Sequence, residues 1–140
     1  MDVAVARSIA HYSHVQRRDR RGELVVEHVA RVAAAVPADV QPLAWLHDVL
    51  EGSATSVDEL RAHGLTAVEL AALRLLTRGS DESYELYVLR IAFARGEAGR
   101  LARIVKLADL DDHIACEWSP DGPPYEWARR HVAAAAARGS

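Results

Sequence analysis

The sequence predicts an all-α fold, a compact single-domain helical bundle that spans residues 1–140. Half of the residues are hydrophobic, which is enough apolar surface for a chain of 140 residues to bury a core. Apolar residues recur at intervals of three and four, whereas no stretch alternates strictly at period two. Alanine, the residue with the highest helix propensity, is abundant. No linker or internal repeat divides the chain, so one domain is expected.

The first third of the chain is divided by clear helix-stop signals. Residues 3–14 form a first amphipathic segment, and the polar loop 16–22 closes at Gly22. Apolar residues return at helical spacing over 23–36 and stop at Pro37, because proline cannot continue a helix. Two amphipathic helices joined by a polar loop are therefore predicted here.

A further helix is predicted over 38–51, with Asp39 as its candidate N-cap and Pro42 in its first turn. Residues 52–64 then hold a loop and a short helix that ends at Gly64. Its capping-box candidates are Thr55 or Ser56 followed by Asp58 and Glu59. This part of the chain is also expected to be helical, with one break.

The rest of the chain continues the helical pattern, interrupted by short polar or Pro- and Gly-rich loops. The predicted helices are 66–78, 81–96, 98–116 and 125–140, the last with a frayed tail. Thr66 is the candidate N-cap of the first of these, and Asp81 or Ser80 that of the second. The aromatic residues expected to pin the last helix to the bundle are Trp118, Tyr125 and Trp127.

Composition excludes several classes of partner. The formal net charge of −3 argues against a general nucleic-acid binder, which is usually basic. The single cysteine, Cys116, cannot form an intramolecular disulfide, which fits a cytoplasmic location. Asp2 and Arg7 interrupt any N-terminal apolar signal, and no apolar run approaches the roughly 18 residues of a membrane span. The expectation is a cytoplasmic protein without nucleic-acid or membrane partners; a homodimer is left open.

Two histidines fall on the apolar faces of their predicted helices. His28 lies four residues before Val32, and His47 lies four residues after Leu43, so both side chains should point inward. Asp48 follows His47 at about 100° around the helix. Glu51 lies four positions after His47 and three after Asp48, so all three side chains are expected to project to one side of the helix.

The long helix carries a second polar face. Lys106, Asp112 and His113 each lie three or four positions from Asp109. An ionised carboxylate inside an apolar bundle is unfavourable unless another group compensates its charge. Two imidazoles and two carboxylates from three helices could converge on one divalent cation such as Mn²⁺, Fe²⁺ or Zn²⁺. The alternative is a set of hydrogen-bonded core histidines, as is usual for a single inward histidine such as His28.

Four stretches together resemble the HD-domain phosphohydrolases, in particular small stand-alone proteins related to the RelA/SpoT (p)ppGpp hydrolase domain. They are "RRGELVVEHVARVA", "AWLHDVLEGSATSVDEL", "LLTRGSDESYELYVLRI" and "VKLADLDDH". The order of ionisable residues, H…HD…D, is similar to the signature of that family, and the resemblance covers roughly residues 8–114. It implies a metal-dependent hydrolase on a helical bundle of the HD-domain type.

The resemblance also implies roles for individual residues. Its metal ligands would be His28, His47, Asp48 and Asp109, around one Mn²⁺ or a similar ion such as Fe²⁺, Zn²⁺, Co²⁺ or Ni²⁺. Glu51 would orient or deprotonate the attacking water, and Lys106 would neutralise charge on the phosphoryl group. Substrate contacts are expected from Arg78, Tyr84, Tyr87, Arg90 and Asp112. The implied reaction is hydrolysis of a nucleotide such as (p)ppGpp, at its 3′-pyrophosphate.

The chain departs from this pattern at the residue after Glu51, where the family has an aspartate and this chain has Gly52. The departure leaves two alternatives open. One is an HD-fold protein that binds metal or nucleotide with little turnover. The other is a phosphatase of a different nucleotide, such as NADPH at its 2′-phosphate.

Each supporting residue also has a structural alternative. Glu51 could be a solvated acid at a helix end, and Lys106 could pair with Asp109 or Asp112 on the surface. Tyr84 and Tyr87 could be aromatic residues of the core, and Arg78 could complement the C-terminus of a helix. The arginine-rich loop 16–22 is either solvated or lies beside a bound nucleotide base.

Overall fold

The computed structural model describes residues 1–116 and 120–139. Over these ranges the chain forms eight α-helices, and a short 3-10 helix, Ala38–Val40, precedes the third. They are α1 (Val3–Ser13), α2 (Val25–Ala34), α3 (Gln41–Leu46), α4 (Val57–Ala62), α5 (Ala67–Leu76), α6 (Tyr84–Phe93), α7 (Gly96–Cys116) and α8 (Tyr125–Ala137). The described residues contain no strand, only an isolated bridge between Arg18 and Leu24. The predicted all-α fold is confirmed.

Helix α7 is central to the bundle. It packs against α2, α5, α6 and α8, while α3 packs against α1, α2 and α5. The apolar faces meet in one core that includes Val32, Leu43, Leu73, Ile91 and Leu110. Burial of each such side chain contributes roughly 1.5–3 kcal/mol relative to exposure. This packing brings the inward faces of α2, α3 and α7 together, and those faces carry the ionisable residues.

Side-chain caps begin four of the described helices, and Asp2 caps the first of them, α1. Capping boxes at Ser56 and Thr66 start α4 and α5, as predicted. The predicted N-cap of α6, Asp81 or Ser80, is wrong: Ser83 caps this helix, and its hydroxyl accepts a hydrogen bond from the Leu86 amide at 3.1 Å. The chain before Ser83 is held in a turn, because the Glu82 amide donates to the Gly79 carbonyl at 3.1 Å.

The helix predicted over 38–51 is broken into parts. A 3-10 helix covers 38–40 and contains Asp39, which therefore does not cap an α-helix. Pro42 lies in the first turn of α3, as predicted. Beyond Leu46 the backbone continues in turns with i to i+3 hydrogen bonds, such as Glu51 N to Asp48 O at 3.2 Å. The His47 ring helps to end the helix, because its Nδ1 atom donates a hydrogen bond to the Ala44 carbonyl at 2.7 Å and so competes with the helical hydrogen bonds for this acceptor.

Smaller differences follow from local hydrogen bonds. Helix α2 begins at Val25 rather than residue 23, because the Val25 amide donates to the Arg17 carbonyl at 2.9 Å. In α8, Tyr125 and Trp127 are partly buried and pack against the core, as predicted. Trp118 lies outside the described residues. Among the helices of the described ranges, none combines the length and apolar character needed to cross a membrane.

Candidate metal centre

Four ionisable side chains meet where α2, α7 and the turn after α3 come together. His28 extends from α2, His47 and Asp48 from the turn, and Asp109 from α7. The His28 Nε2 atom lies 2.9 Å from Asp109 Oδ1 and 4.0 Å from Asp48 Oδ2. The His47 Nε2 atom lies 3.3 Å from each of the same two oxygens. The structure thus brings together the four residues that the resemblance implies as ligands.

A hydrogen bond at Nδ1 of His28 leaves the other ring nitrogen, Nε2, facing the cluster. His28 Nδ1 lies 2.6 Å from Asp112 Oδ2, and a carboxylate can only accept, so Nδ1 carries the hydrogen. Arg31 Nε holds the same carboxylate in place at 2.7 Å. In a neutral imidazole the remaining nitrogen, Nε2, then has a lone pair directed at Asp109.

The same reasoning applies to His47. Its Nδ1 atom donates to the Ala44 carbonyl at 2.7 Å. Its Nε2 atom is buried and has no hydrogen-bond partner, although two carboxylate oxygens lie 3.3 Å away. When the ring is neutral, its Nε2 lone pair faces two carboxylates, and a cation between these acceptors would convert their mutual repulsion into attraction.

Several pairs of these atoms are spaced like adjacent ligands of one divalent cation. Two ligand atoms that lie about 2.1 Å from one ion are about 3.0 Å apart at octahedral angles and about 3.4 Å apart at tetrahedral angles. The distances of 2.9 and 3.3 Å from the imidazoles to Asp109 Oδ1 fall at or near these values. The ligand atoms of His28, His47 and Asp48 all lie within 4.8 Å of one another. Nitrogen and carboxylate oxygen suit Mn²⁺, Fe²⁺, Co²⁺, Ni²⁺ or Zn²⁺.

The electrostatics of the cluster keep its carboxylates ionised. Burial raises the pKa of Asp109, but Lys106 and the neighbouring histidines outweigh burial and hold it well below its usual range. Burial likewise acts against ionisation of Asp48, yet His47 lowers the pKa of Asp48 to about 2. Burial lowers the pKa of His47, but the two carboxylates outweigh it and raise that pKa above the ordinary value. A proton on His47 is thus the alternative to a metal ion at the same place.

Lys106 supports the cluster from within the bundle. Its ammonium is buried, donates to Asp109 Oδ2 at 2.8 Å and to the Tyr87 hydroxyl at 3.2 Å, and lies 4.8 Å from the centre of the Tyr87 ring. The pairing with Asp109 that sequence analysis considered is confirmed, but it is buried rather than on the surface. Lys106 therefore orients and charge-balances the oxygen of Asp109 that faces away from the histidines.

Glu51 lies at the edge of the cluster. Its Oε1 atom accepts a hydrogen bond from the Arg78 amide at 2.6 Å, which fixes the carboxylate between the turn after α3 and the end of α5. Burial raises the pKa of Glu51 above its ordinary value, and the negative charge of Asp48 adds to this effect. A carboxylate with a raised pKa is better suited to accept a proton than an ordinary surface acid is.

The residues predicted to contact substrate divide into two groups. Arg90 is engaged inside the protein: its Nε and Nη2 atoms donate to Glu82 at 2.8 Å each, and it also reaches the Leu75 carbonyl at 3.2 Å and the Thr77 carbonyl at 3.2 Å. The Tyr87 hydroxyl donates to the Leu76 carbonyl at 2.8 Å. For Tyr87 this contact matches the structural alternative of core packing, and the contacts of both residues leave their predicted substrate roles without geometric support.

Arg78 and Tyr84 are the better placed of the predicted substrate contacts. Arg78 is exposed and its guanidinium lies 5.9 Å from the centre of the Tyr84 ring. The Tyr84 hydroxyl is buried and has no hydrogen-bond partner among the described residues. Asp112, in contrast, is occupied by His28 and Arg31, which gives it a supporting role toward the cluster.

Sequence analysis placed His113 on the polar face of α7 but did not count it among the ligands. Its Nε2 atom lies 3.1 Å from Asp109 Oδ1, and its ring stacks on Tyr125 at 4.7 Å between centres with an interplanar angle of 5°. Asp109 and His28 share with it a second group of potential ligand atoms that all lie within 4.8 Å of one another. The signal in the sequence was the spacing of four residues from Asp109.

His14 was also missed. It is 1% exposed, its Nδ1 atom accepts from Arg17 Nη1 at 2.9 Å, and its Nε2 atom is buried without a hydrogen-bond partner. Burial is the largest cause that lowers the pKa of His14 to about 4, so the ring is neutral. The sequence signal was its spacing of four and eight residues from the buried Ala10 and Ala6 on the same helix face.

Arg17 also accounts for the residue at which the chain departs from the HD-domain pattern. Gly52 has a φ of +71°, and a Cβ atom there would lie 2.7 Å from Arg17 Nη2. A side chain at this position would therefore need both an unfavourable backbone conformation and movement of the arginine.

Comparisons with known proteins return no match for this chain, either among protein-family models or among curated sequences.

Proposed function

We propose that this protein is a metal-dependent phosphohydrolase of the HD-domain type that acts on a nucleotide, with (p)ppGpp or a relative as substrate. In this hydrolysis the oxygen of a water bonds to phosphorus, the ester P–O bond breaks, and the leaving ribose oxygen takes a proton. The four-residue cluster and the motif order H…HD…D support the proposal.

One observation carries the proposal. Both His28 and His47 have Nδ1 committed to a neighbouring acceptor, so that each Nε2 atom is directed at carboxylate oxygen. Each Nε2 atom can therefore hold either a proton or a metal ion against these oxygens. Two imidazoles arranged in this way match the ligand and supporting contacts that are typical of metal-binding histidines.

The cation would be held by His28, His47, Asp48 and Asp109. When bound, it would supply Lewis-acid polarisation of a phosphoryl oxygen and lower the pKa of a water beside it. Lys106 and Asp112 keep two of these ligands in place, through Asp109 and His28 respectively. The ligand side chains would therefore need little rearrangement when the ion binds.

Glu51 is the residue proposed to take a proton from the attacking water. Its Oε1 atom is fixed by the Arg78 amide, and burial gives the carboxyl a raised pKa. On the substrate side, the exposed Arg78 guanidinium is suited to bind phosphate oxygens. The partly exposed ring of Tyr84, beside that guanidinium, is suited to stack on a base of the same molecule.

A second candidate function is a nucleotide- or metal-binding protein with little turnover. The observation that favours it is the Arg17 guanidinium beside Gly52, where the family has a carboxylate. A cation at that place would hold an anionic ligand but would not accept a proton from water. The two candidates differ in turnover and not in affinity.

Nucleotide hydrolysis by the purified, Mn²⁺-loaded protein tests the choice between them. The panel contains (p)ppGpp, NADPH and simple nucleoside phosphates, and the measurement is release of phosphate or pyrophosphate. We expect release from one nucleotide class and its loss in the Asp48→Ala variant. Asp111→Ala is the matched control, because Asp111 is an exposed acid on α7 that pairs with surface Arg129 at 2.5 Å.

Tight nucleotide binding without release would support the binding protein instead. Release that persists in Asp48→Ala at the wild-type rate would contradict the hydrolase proposal, because that variant lacks a ligand and a neighbour of Glu51.

A further inference from the structure

His113 is a third imidazole, beside the four-residue cluster, and no role has been assigned to it. It lies on α7 one helical turn after Asp109, and its side chain is 23% exposed, so solvent and ions can reach it. Its Nε2 atom, not merely its ring, faces Asp109 Oδ1 at 3.1 Å. The side chain therefore approaches the cluster with the same ring nitrogen that His28 and His47 present.

Three imidazole nitrogens surround one carboxylate oxygen. The distances from Asp109 Oδ1 to Nε2 are 2.9 Å for His28, 3.3 Å for His47 and 3.1 Å for His113. Ligand atoms about 2.1 Å from a shared ion are separated by about 3.0–3.4 Å when they are adjacent in its coordination shell. The separation at His113 lies inside this interval, as close to the ideal value as those of the two histidines already assigned.

Two aromatic contacts hold the ring of His113 in this orientation. The ring stacks on Tyr125, with ring centres 4.7 Å apart and an interplanar angle of 5°. Its centre also lies 4.6 Å from that of the His28 ring, at an interplanar angle of 33°. Rigid aromatic contacts of this kind reduce the entropy that the side chain would lose on binding an ion.

We infer that His113 is a fifth protein ligand of the metal centre, so that three imidazoles and two carboxylates bind the ion. The inference rests on the metal centre of the proposed function and deepens it. Imidazole favours Fe²⁺, Co²⁺, Ni²⁺ and Zn²⁺, whereas carboxylate and water favour Mn²⁺. A third imidazole therefore shifts the preference of the site away from Mn²⁺ and toward the later metals of that series.

Metal titration of the chelator-treated protein tests this inference without any substrate. The affinities for Co²⁺, Ni²⁺ and Mn²⁺ are measured by competition with a metal indicator. The variant is His113→Asn, which removes the imidazole but keeps a polar side chain of similar reach. We expect Co²⁺ and Ni²⁺ to bind at least about tenfold more weakly, and Mn²⁺ less than about threefold more weakly, because the lost ligand is an imidazole.

A spectroscopic measurement separates coordination from a hydrogen bond to Asp109. In the Co²⁺-loaded protein, proton NMR shows strongly shifted N–H resonances from coordinated imidazoles. His113→Asn should remove one of these resonances if His113 is a ligand and should leave their number unchanged if it only positions Asp109. His63→Asn is the matched control, since His63 is exposed and follows α4, away from the cluster.

His28→Ala shows which proposal has failed. The inference about His113 is overturned if His113→Asn keeps the wild-type Co²⁺ affinity within twofold and the same number of shifted resonances while His28→Ala loses the metal; the metal centre then stands. If the wild-type protein binds none of these ions, the inference and the metal centre both fail. If His113→Asn behaves as expected but no nucleotide is hydrolysed, the inference stands and the hydrolase proposal fails.

Discussion

The metal-centre cluster and the network between α5 and α6 are both rich in charge, yet they differ in how their polar groups are matched. In the α5–α6 network, Arg90 directs its donors at the Glu82 carboxylate and at the carbonyls that end α5. In the cluster, the Nε2 atoms of His28 and His47 face carboxylate oxygens that can only accept. One region is complete by itself, and the other could hold a cation.

This difference separates residues that stabilise the fold from residues that could bind a ligand. A buried network whose donors and acceptors are all paired contributes to folding and gains nothing from a ligand. A network with unpaired acceptors is unfavourable until a proton or a cation pairs with them. Both regions carried predicted site residues, so charge and inward orientation alone did not distinguish them. The direction of each donor and acceptor did.

The largest expected effect comes from the centre of the unmatched cluster. Asp109→Ala should lower the free energy of unfolding by about 3–5 kcal/mol, because it leaves the Lys106 ammonium buried without its carboxylate. The same variant should lose its metal. Urea unfolding in the presence of chelator measures the first effect, and elemental analysis of the purified protein measures the second.

Asp111→Ala, an exposed acid on the same helix, is the control and should change neither quantity appreciably. If Asp109→Ala does not fold, Asp109→Asn keeps the shape of the side chain and still removes its charge. Retention of both metal and stability in Asp109→Asn would contradict the comparison, since Asp109 would then be no more than a core polar residue.

The next effect concerns His14, which adjoins the cluster and has an unpartnered Nε2 atom. Burial lowers its pKa to about 4 in the folded protein, while the unfolded chain has a value near 6.5. The unfolded state therefore takes up a proton first as pH falls, and stability present above pH 6.5 is lost progressively down to about pH 4. The loss should reach roughly 2–3 kcal/mol.

Replacing the ring with an amide that cannot titrate tests the His14 assignment. The free energy of unfolding of His14→Gln, measured in urea with chelator at pH 7 and pH 4.5, should fall less than that of the wild type. His63→Gln, at an exposed position, should follow the wild type. Equal pH dependence in His14→Gln and wild type would mean that His14 is not held neutral by burial.

The smallest expected effect is in the matched network. Arg90→Lys should cost about 1 kcal/mol of stability, because lysine cannot make the paired hydrogen bonds to Glu82 and its position is partly exposed. Metal and nucleotide affinities should stay within twofold of wild type. Urea unfolding and equilibrium binding measure these quantities, and Arg100→Lys, in an exposed pair with Glu97, is the control. A more than tenfold loss of nucleotide affinity at unchanged stability would restore Arg90 as a substrate contact.

Local patterns in the sequence were sufficient for most of the fold. Capping boxes and helix-stop residues involve groups only a few positions apart, so the starts of α4 and α5 could be predicted. The start of α6 and the end of α3 could not. They depend on the Glu82 turn and on the His47 ring, whose contacts compete with helical hydrogen bonds in a way that propensity does not describe.

The sequence by itself determined that the chain is helical and that His28, His47 and Asp109 turn inward, because helical periodicity is a property of each segment alone. Only the tertiary structure decided what these side chains meet. His28 and Asp109 are 81 positions apart, so their contact arises from the packing of different helices. Likewise, the Nδ1 partner of His28 lies on another helix, and this contact is what directs His28 Nε2 at Asp109.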